Sequence, residues 1–222
     1  MNAKAARSVV WGVSLLLAAF PPDQASAQGP GTPFRPVTQE MLDNPDPADW
    51  LQWRGSNERW GYSPLDQINR DNVRDLRMVW AYAFEDIGPG YGMQVEPAVH
   101  DGVMYVRHAN ERYTAHDATT GDVLWEYTRP LKEEVLNAEG ISLHRGRGVA
   151  LYADKVISHA TDGMLFALDA RSGVLLWESE MTGIESAENV SSGQPSGAPI
   201  VFGGVVAVPY NCTAGSSPGP CH

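Results

Sequence analysis

The sequence predicts an all-β fold: four-stranded antiparallel units set side by side as the blades of a β-propeller, forming an incomplete arc. Three observations predict it. An eleven-residue segment ending in Trp occurs twice, 52 residues apart. Short runs rich in β-branched and aromatic residues, four to a unit, surround each copy. Gly (22) and Pro (16) are frequent and without period in the 222 residues, which suits a turn-rich β chain and excludes collagen.

The chain opens with a segment that reads as a signal for export. Lys4 and Arg7 supply positive charge, and Val9 to Phe20 form an apolar run of about a dozen residues. That is too short for a bilayer, which needs about 20. Ala25-Ser26-Ala27 then provides a small-x-small cleavage pattern, so residues 1–27 are expected to be a cleavable signal peptide. The mature chain is expected in an exported, periplasmic space. No Cys precedes Cys212, which argues against a lipid anchor, and no later run has transmembrane length.

Residues 28–48 are Pro-rich and lack apolar periodicity. They predict an extended N-terminal arm with one short helical turn near Gln39–Leu42. A partial propeller is expected over residues 49–222. Within its first part, Asn69 to Trp80 reads as a short helix running into a strand.

The repeat carries the fold. Ala115-His116-Asp117-Ala118-Thr119-Thr120-Gly121-Asp122-Val123-Leu124-Trp125 returns as Ala167-Leu168-Asp169-Ala170-Arg171-Ser172-Gly173-Val174-Leu175-Leu176-Trp177. The Asp can accept from backbone N–H groups two residues on and start a turn. The Gly supplies the positive φ of a tight hairpin. Trp125 and Trp177 then sit on the returning strands, each with a large face to bury and an N–H to satisfy.

Strands are expected at Val95–Val99, Gly102–His108, Tyr113–Asp117 and Val123–Tyr127 in the first unit. In the second they fall at Gly148–Tyr152, Lys155–Ala160, Met164–Asp169 and Val174–Ser179. A third unit opens at Gly197–Phe202, turns at Gly203-Gly204 and continues over Val205–Tyr210. This makes about two complete blades and part of a third. Rings of eight such blades need about 400 residues, so the chain is expected to be either a truncated product or a fragment of a longer chain, with sheet edges left open.

With 16 basic and 27 acidic side chains the net charge is −11. Such a surface repels phosphate backbones, which argues against nucleic acid as a partner. Two Cys exclude a four-thiolate zinc site. Cys212 and Cys221 could close a small disulfide loop in a Gly/Pro/Ser tail or remain free thiols. Six His (His100, His108, His116, His144, His159, His222) lack metal-ligand spacing and read as surface or turn residues. Glu185 and Glu188 read as a solvated face, and no metal site is assigned.

The three inner strands superpose through Pro97-Ala98-Val99, Ala150-Leu151-Tyr152 and Pro199-Ile200-Val201. Three residues upstream of each lie Gln94, Arg147 and Ser196. Equivalent positions in consecutive blades point at one axial pocket, where an amide, a guanidinium and a hydroxyl suit a small oxygen-rich ligand. The alternative is polar loop residues in water.

The stretch Arg59-Trp60-Gly61-Tyr62-Ser63-Pro64-Leu65-Asp66-Gln67-Ile68-Asn69 continues through Asn72-Val73, Leu76 and Trp80. With Pro97-Ala98-Val99, Gly102–Val106, Arg147–Ala150, Asp162-Gly163 and the two repeats, it resembles the pyrroloquinoline quinone (PQQ)-dependent alcohol dehydrogenases of the methanol/ethanol type. Those are eight-bladed quinoproteins. The resemblance covers roughly residues 49–209.

It implies an oxidoreductase in which an alcohol is oxidised to an aldehyde and its electrons pass to PQQ. It also implies a calcium or lanthanide ion polarising the quinone and an Asp acting as general base. Electrons would leave to an acceptor such as a cytochrome c or a quinone. By position, Gln94, Arg147 and Ser196 stand at cofactor contacts, and Trp125 and Trp177 at the tryptophan-docking motif. The sequence departs from the family where many members carry an adjacent Cys pair: Ile141 and Ser142 stand there. No carboxylate follows Val208 where a metal-ligating Glu is found in the family. No catalytic residue is therefore assigned; these are expected beyond residue 222. A non-enzymatic propeller scaffold and an inactive truncated product are the alternative readings.

Overall fold

The computed structural model describes residues 34–83, 93–131, 146–181, 193–195 and 197–212. Two four-stranded antiparallel sheets dominate. The first takes the order β1 (Ala98–His100), β2 (Val103–Arg107), β3 (Arg112–Asp117), β4 (Val123–Thr128). The second repeats it with β5 (Ala150–Tyr152), β6 (Lys155–His159), β7 (Met164–Asp169) and β8 (Leu175–Glu180). In a third unit β10 (Ile200–Phe202) pairs with β11 (Val205–Ala207), while β12 (Tyr210–Cys212) pairs with β9 (Gly193–Pro195). These sheets do not close on one another, so the all-β class and the incomplete propeller arc both hold.

The repeated turns work as the side chains require. Asp117 Oδ1 accepts from the Thr119 and Thr120 amides at 2.8 and 3.0 Å, and Gly121 turns at φ 81°. In the second blade Asp169 Oδ1 accepts from Arg171 and Ser172 at 3.0 and 2.9 Å, and Gly173 turns at φ 70°. The backbone donors of Thr120 and Thr119 hold the Asp117 carboxyl below its usual range, because they bind only its charged form. Both blades carry a β-bulge at the same place, after Ala115 and after Ala167. That shift sets Trp125 opposite Ala115 and Trp177 opposite Ala167.

The first strand differs from expectation. It begins at Ala98, because the Glu96 N–H donates to the carbonyl of Arg147 at 2.9 Å and not to a ladder in its own sheet. Its turn falls at Asp101-Gly102, both with positive φ (50° and 77°). Asn69 to Trp80 forms neither the expected helix nor a strand. Only a 3₁₀ turn, Val73–Asp75, is present. Among the described residues no strand lies beside Leu76–Val79, so no ladder can form there. Met78 and Val79 are 83% and 82% exposed.

The N-terminal segment spans the blades. Thr38 caps helix α1 (Gln39–Asp43), whose Leu42 is fully buried. Arg35 binds Asp101 in the β1–β2 turn through its backbone N–H at 2.8 Å and its Nε at 2.7 Å. Val37 exchanges two backbone bonds with Ala153 in the β5–β6 turn, each 2.8 Å. Gln39 Oε1 accepts from Gly203 in the β10–β11 turn at 2.6 Å. Further along, Trp50 pairs with Val99, the Leu51 carbonyl accepts from Leu151, and Gln52 Oε1 accepts from Val201. Three consecutive residues thus meet equivalent positions of three consecutive inner strands.

The core fills the space between the two full sheets. Tyr105, Tyr113, Leu151, Phe166 and Leu168 are essentially inaccessible. Tyr113 and Phe166 meet edge to face, with centroids 5.2 Å apart. Each such side chain contributes roughly 1.5–3 kcal/mol of burial.

Candidate functional site

Antiparallel order places the β2–β3 and β6–β7 turns at one end of the sheets, together with the lead-ins to β1, β5 and β10. There the lead-ins nest. Glu96 and Gly148 form a parallel bridge, and Gly148 adopts φ 155°. A Cβ at Gly148 would come within 2.7 Å of the Glu96 carbonyl and 3.6 Å of Ala198 Cβ. Three consecutive lead-ins are therefore in mutual contact only because residue 148 lacks a side chain.

Gln94 and Arg147 lie on two of these adjoining lead-ins, both exposed. The Arg147 guanidinium has no partner among the described residues; only its backbone carbonyl is engaged, by Glu96. Ser196 lies outside the described residues, one position before Gly197. Glu96, the nearby carboxylate, accepts from the Trp50 indole at 2.5 Å and from the Arg54 amide at 2.6 Å, which commits it to packing.

Under the lead-ins sits a buried polar cluster. Arg107, at the end of β2, is 2% exposed and donates to Glu111 Oε1 at 3.0 Å. Glu111 also accepts from the Thr161 amide (2.9 Å) and hydroxyl (2.5 Å), and from the Tyr113 hydroxyl (2.9 Å). Burial opposes its charge, yet Arg107, Thr161 and Tyr113 together hold its carboxyl below the usual range. Burial likewise works against the charge of Arg107, and Glu111 more than offsets it. His159, fully buried, is pushed down to about 3 by burial and then by the Arg107 charge, so it is neutral.

His100, His108, His116 and His159 were expected at the surface or in turns, and all four are buried. They end or line strands whose faces are covered by neighbouring elements, which spacing along one strand does not reveal. His144, His222, Glu185 and Glu188 lie outside the described residues. Cys212 lies in β12 and Cys221 outside the described residues. Among the described residues no group of three His, Cys, Asp or Glu could hold a metal ion. None of their helices is long and apolar enough to cross a membrane.

Trp125 is buried, and its Nε1 donates to the Ala170 carbonyl of the next blade at 2.9 Å. Trp177 is half-buried against the same core. Trp80 repeats the arrangement one blade earlier, donating to the Ala118 carbonyl at 3.1 Å. Trp80 is not among the docking residues expected from the repeat. The signal was the pattern Trp80-Ala81-Tyr82, matching Trp125-Glu126-Tyr127. Trp80, Tyr82, Val95, Pro97, Met104 and Val106 line an apolar cleft of 350 Å³. It flanks β1 and β2 on the side away from the second blade.

Four-stranded sheets joined laterally by an indole on the next blade's turn, with inner lead-ins nested at one end, define the class: a tryptophan-docked β-propeller. The chain belongs to the PQQ family described as the glucose/ethanol/alcohol dehydrogenase β-propeller domain, whose model matches residues 50–213. It is 32% identical over 167 residues to the quinoprotein alcohol dehydrogenase PedH of Pseudomonas putida, covering 75% of this chain and 27% of that protein. It is 33% identical over 174 residues to the dehydrogenase subunit of the quinone alcohol dehydrogenase of Acetobacter aceti, covering 78% and 22%. The crystal structure of the quinohemoprotein alcohol dehydrogenase from Comamonas testosteroni superposes with a TM-score of 0.66 at 31% identity, over 79% of this chain and 25% of that one. A europium-containing methanol dehydrogenase gives 0.64 at 26% identity, over 78% and 29%. The chain thus spans less than a third of the length of these relatives.

Proposed function

We propose that this chain supplies the N-terminal blades of an exported PQQ-dependent dehydrogenase that oxidises an alcohol to an aldehyde. Residues 1–27 direct export to the periplasm, 28–48 form the arm, and 49–222 form the blades. One observation carries the reading: an exposed guanidinium without a partner among the described residues, Arg147, stands on a lead-in that adjoins the lead-in of Gln94. In a chain of net charge −11, such a group is where an anionic, oxygen-rich cofactor would be taken.

PQQ, when bound, supplies the two-electron chemistry. Arg147 would hold its oxygens by charge-assisted hydrogen bonds. Gln94 can donate and accept from its amide, and Ser196 from its hydroxyl. Trp125 and Trp177 fix the blades that carry these groups. The calcium or lanthanide ion of this chemistry finds no ligand set among the described residues, so no role in holding it is given to them. The substrate is read as a small alcohol, and the electron acceptor as a cytochrome c or a quinone.

Titration of the chain with PQQ, followed by indole fluorescence and quinone absorbance, tests the reading. Binding is expected, and R147A should weaken it by about 10- to 100-fold, the worth of a hydrogen bond to a charged group. Failure of the unsubstituted chain to bind PQQ, or full affinity in R147A, would overturn it.

A further inference from the structure

Arg107 and His159 occupy the same place in consecutive blades, 52 residues apart, at the ends of β2 and β6. Arg107 Nη1 lies 3.4 Å from His159 Nδ1, and His159 Nε2 lies 2.6 Å from the Gly197 carbonyl. A guanidinium can only donate, so Nδ1 must accept. The ring hydrogen is then on Nε2, which donates to Gly197. A directed chain results: Glu111 carboxylate, Arg107, His159, the backbone of the third lead-in.

The second lead-in rests on the same guanidinium. A Cβ at Gly146 would fall 2.0 Å from both Cζ and Nε of Arg107. Gly146 therefore packs directly against the guanidinium with no room for a side chain, and the next residue is Arg147. Arg107 Nε has no hydrogen-bond partner among the described residues. Glu111 and Asn110 both sit at positive φ (56° and 57°), a conformation that costs a non-glycine residue. The Glu111 carboxylate is held there by Arg107, Tyr113 and Thr161. A buried ion pair and a strained turn are a costly way to fill space. An apolar pair would fill it, but could not direct a hydrogen bond to Gly197 or offer a flat face to Gly146.

We propose that Arg107 and His159 are positioning residues: they fix the lead-in backbones at Gly146–Gly148 and Gly197, and Arg107 thereby aims Arg147 at the cofactor. The last clause rests on the reading of Arg147 as a cofactor contact; the first does not.

Two readouts on the whole chain separate these. R107K keeps Glu111 paired but loses the planar face and the reach to His159. H159F removes both ring bonds, and H159Q offers an acceptor and a donor in their place. Amide exchange at Gly146–Val149 and at Gly197–Ala198 should accelerate at least about 10-fold in R107K and H159F, return toward the unsubstituted rate in H159Q, and stay unchanged at the Asp117–Gly121 turn. Unchanged exchange at both lead-ins in folded R107K and H159F overturns the proposal, as does H159Q behaving like H159F. If R107K does not fold, the H159F and H159Q pair decides alone. For PQQ binding, R107K should weaken affinity about 10-fold when Arg147 is present and not at all in an R147A background. Equal loss in both backgrounds overturns the link to Arg147. A chain that shows the exchange pattern but binds no PQQ sinks the proposed function and leaves the positioning of the lead-ins standing.

Discussion

The indole of Trp125 lies directly on Gly173, so close that a Cβ there would come within 2.5 Å of the ring. Trp80 lies on Gly121 in the same way, with a Cβ clearance of 2.7 Å. The glycine of each repeat therefore has two tasks. It turns the β3–β4 or β7–β8 hairpin with positive φ, and it clears the floor on which the preceding blade's indole rests. The Trp N–H then reaches the carbonyl of Ala170 or Ala118, three residues before that glycine.

Replacing Gly173 with Ala should cost about 2–4 kcal/mol, combining the left-handed conformation with the clash against Trp125. G102A is the control. It has φ 77° but open space within 4 Å, and should cost only about 1–2 kcal/mol. Urea unfolding of both variants checks the difference, and equal costs would show that the indole does not bear on the turn.

Gln52 reaches the third unit: its Oε1 accepts from the Val201 amide at 3.1 Å, and its side chain is buried. Q52L should leave that amide unsatisfied and cost about 1–3 kcal/mol. Amide exchange at Ile200–Phe202 should quicken while β2 and β3 are unaffected, because the loss is confined to the strap between residue 52 and β10.

His159 provides a pH signature. Its folded pKa, about 3, lies below the ordinary value near 6.5. Between those values the unfolded chain binds a proton that the folded chain does not, so stability rises with pH across that window and falls on acidification. About 2 kcal/mol should be lost from this residue between pH 7 and pH 5. Glu111 and Asp117, with depressed carboxyl pKa values, contribute stability that is present above the ordinary carboxylate range and lost only at lower pH. Unfolding measured at pH 7 and pH 5 for the unsubstituted chain and H159Q should therefore show a shallower loss in the variant.

Much of the blade architecture was legible in the residues. Asp117 and Asp169, with Gly121 and Gly173, act within a few residues of themselves, and local hydrogen bonding decides such turns wherever they occur. Trp125 and Trp177 were legible because a repeat announces itself at constant offset. The pairing of Gln94 and Arg147 on adjoining lead-ins could be read in the same way, by superposing inner strands.

Other features required the blades to be stacked. The chain's own sequence determined where sheets and turns form, since alternation, β-branching and turn chemistry act over short distances. Only the tertiary structure decided that Arg107 meets His159, that Trp80 docks like Trp125, and that residues 50–52 touch three inner strands in succession. Those contacts join residues distant along the chain, and they exist because neighbouring sheets lie face to face and exclude water from the polar groups between them. Burial then made His159 neutral and committed Glu111 to Arg107, a consequence of dielectric surroundings that no spacing of residue types encodes.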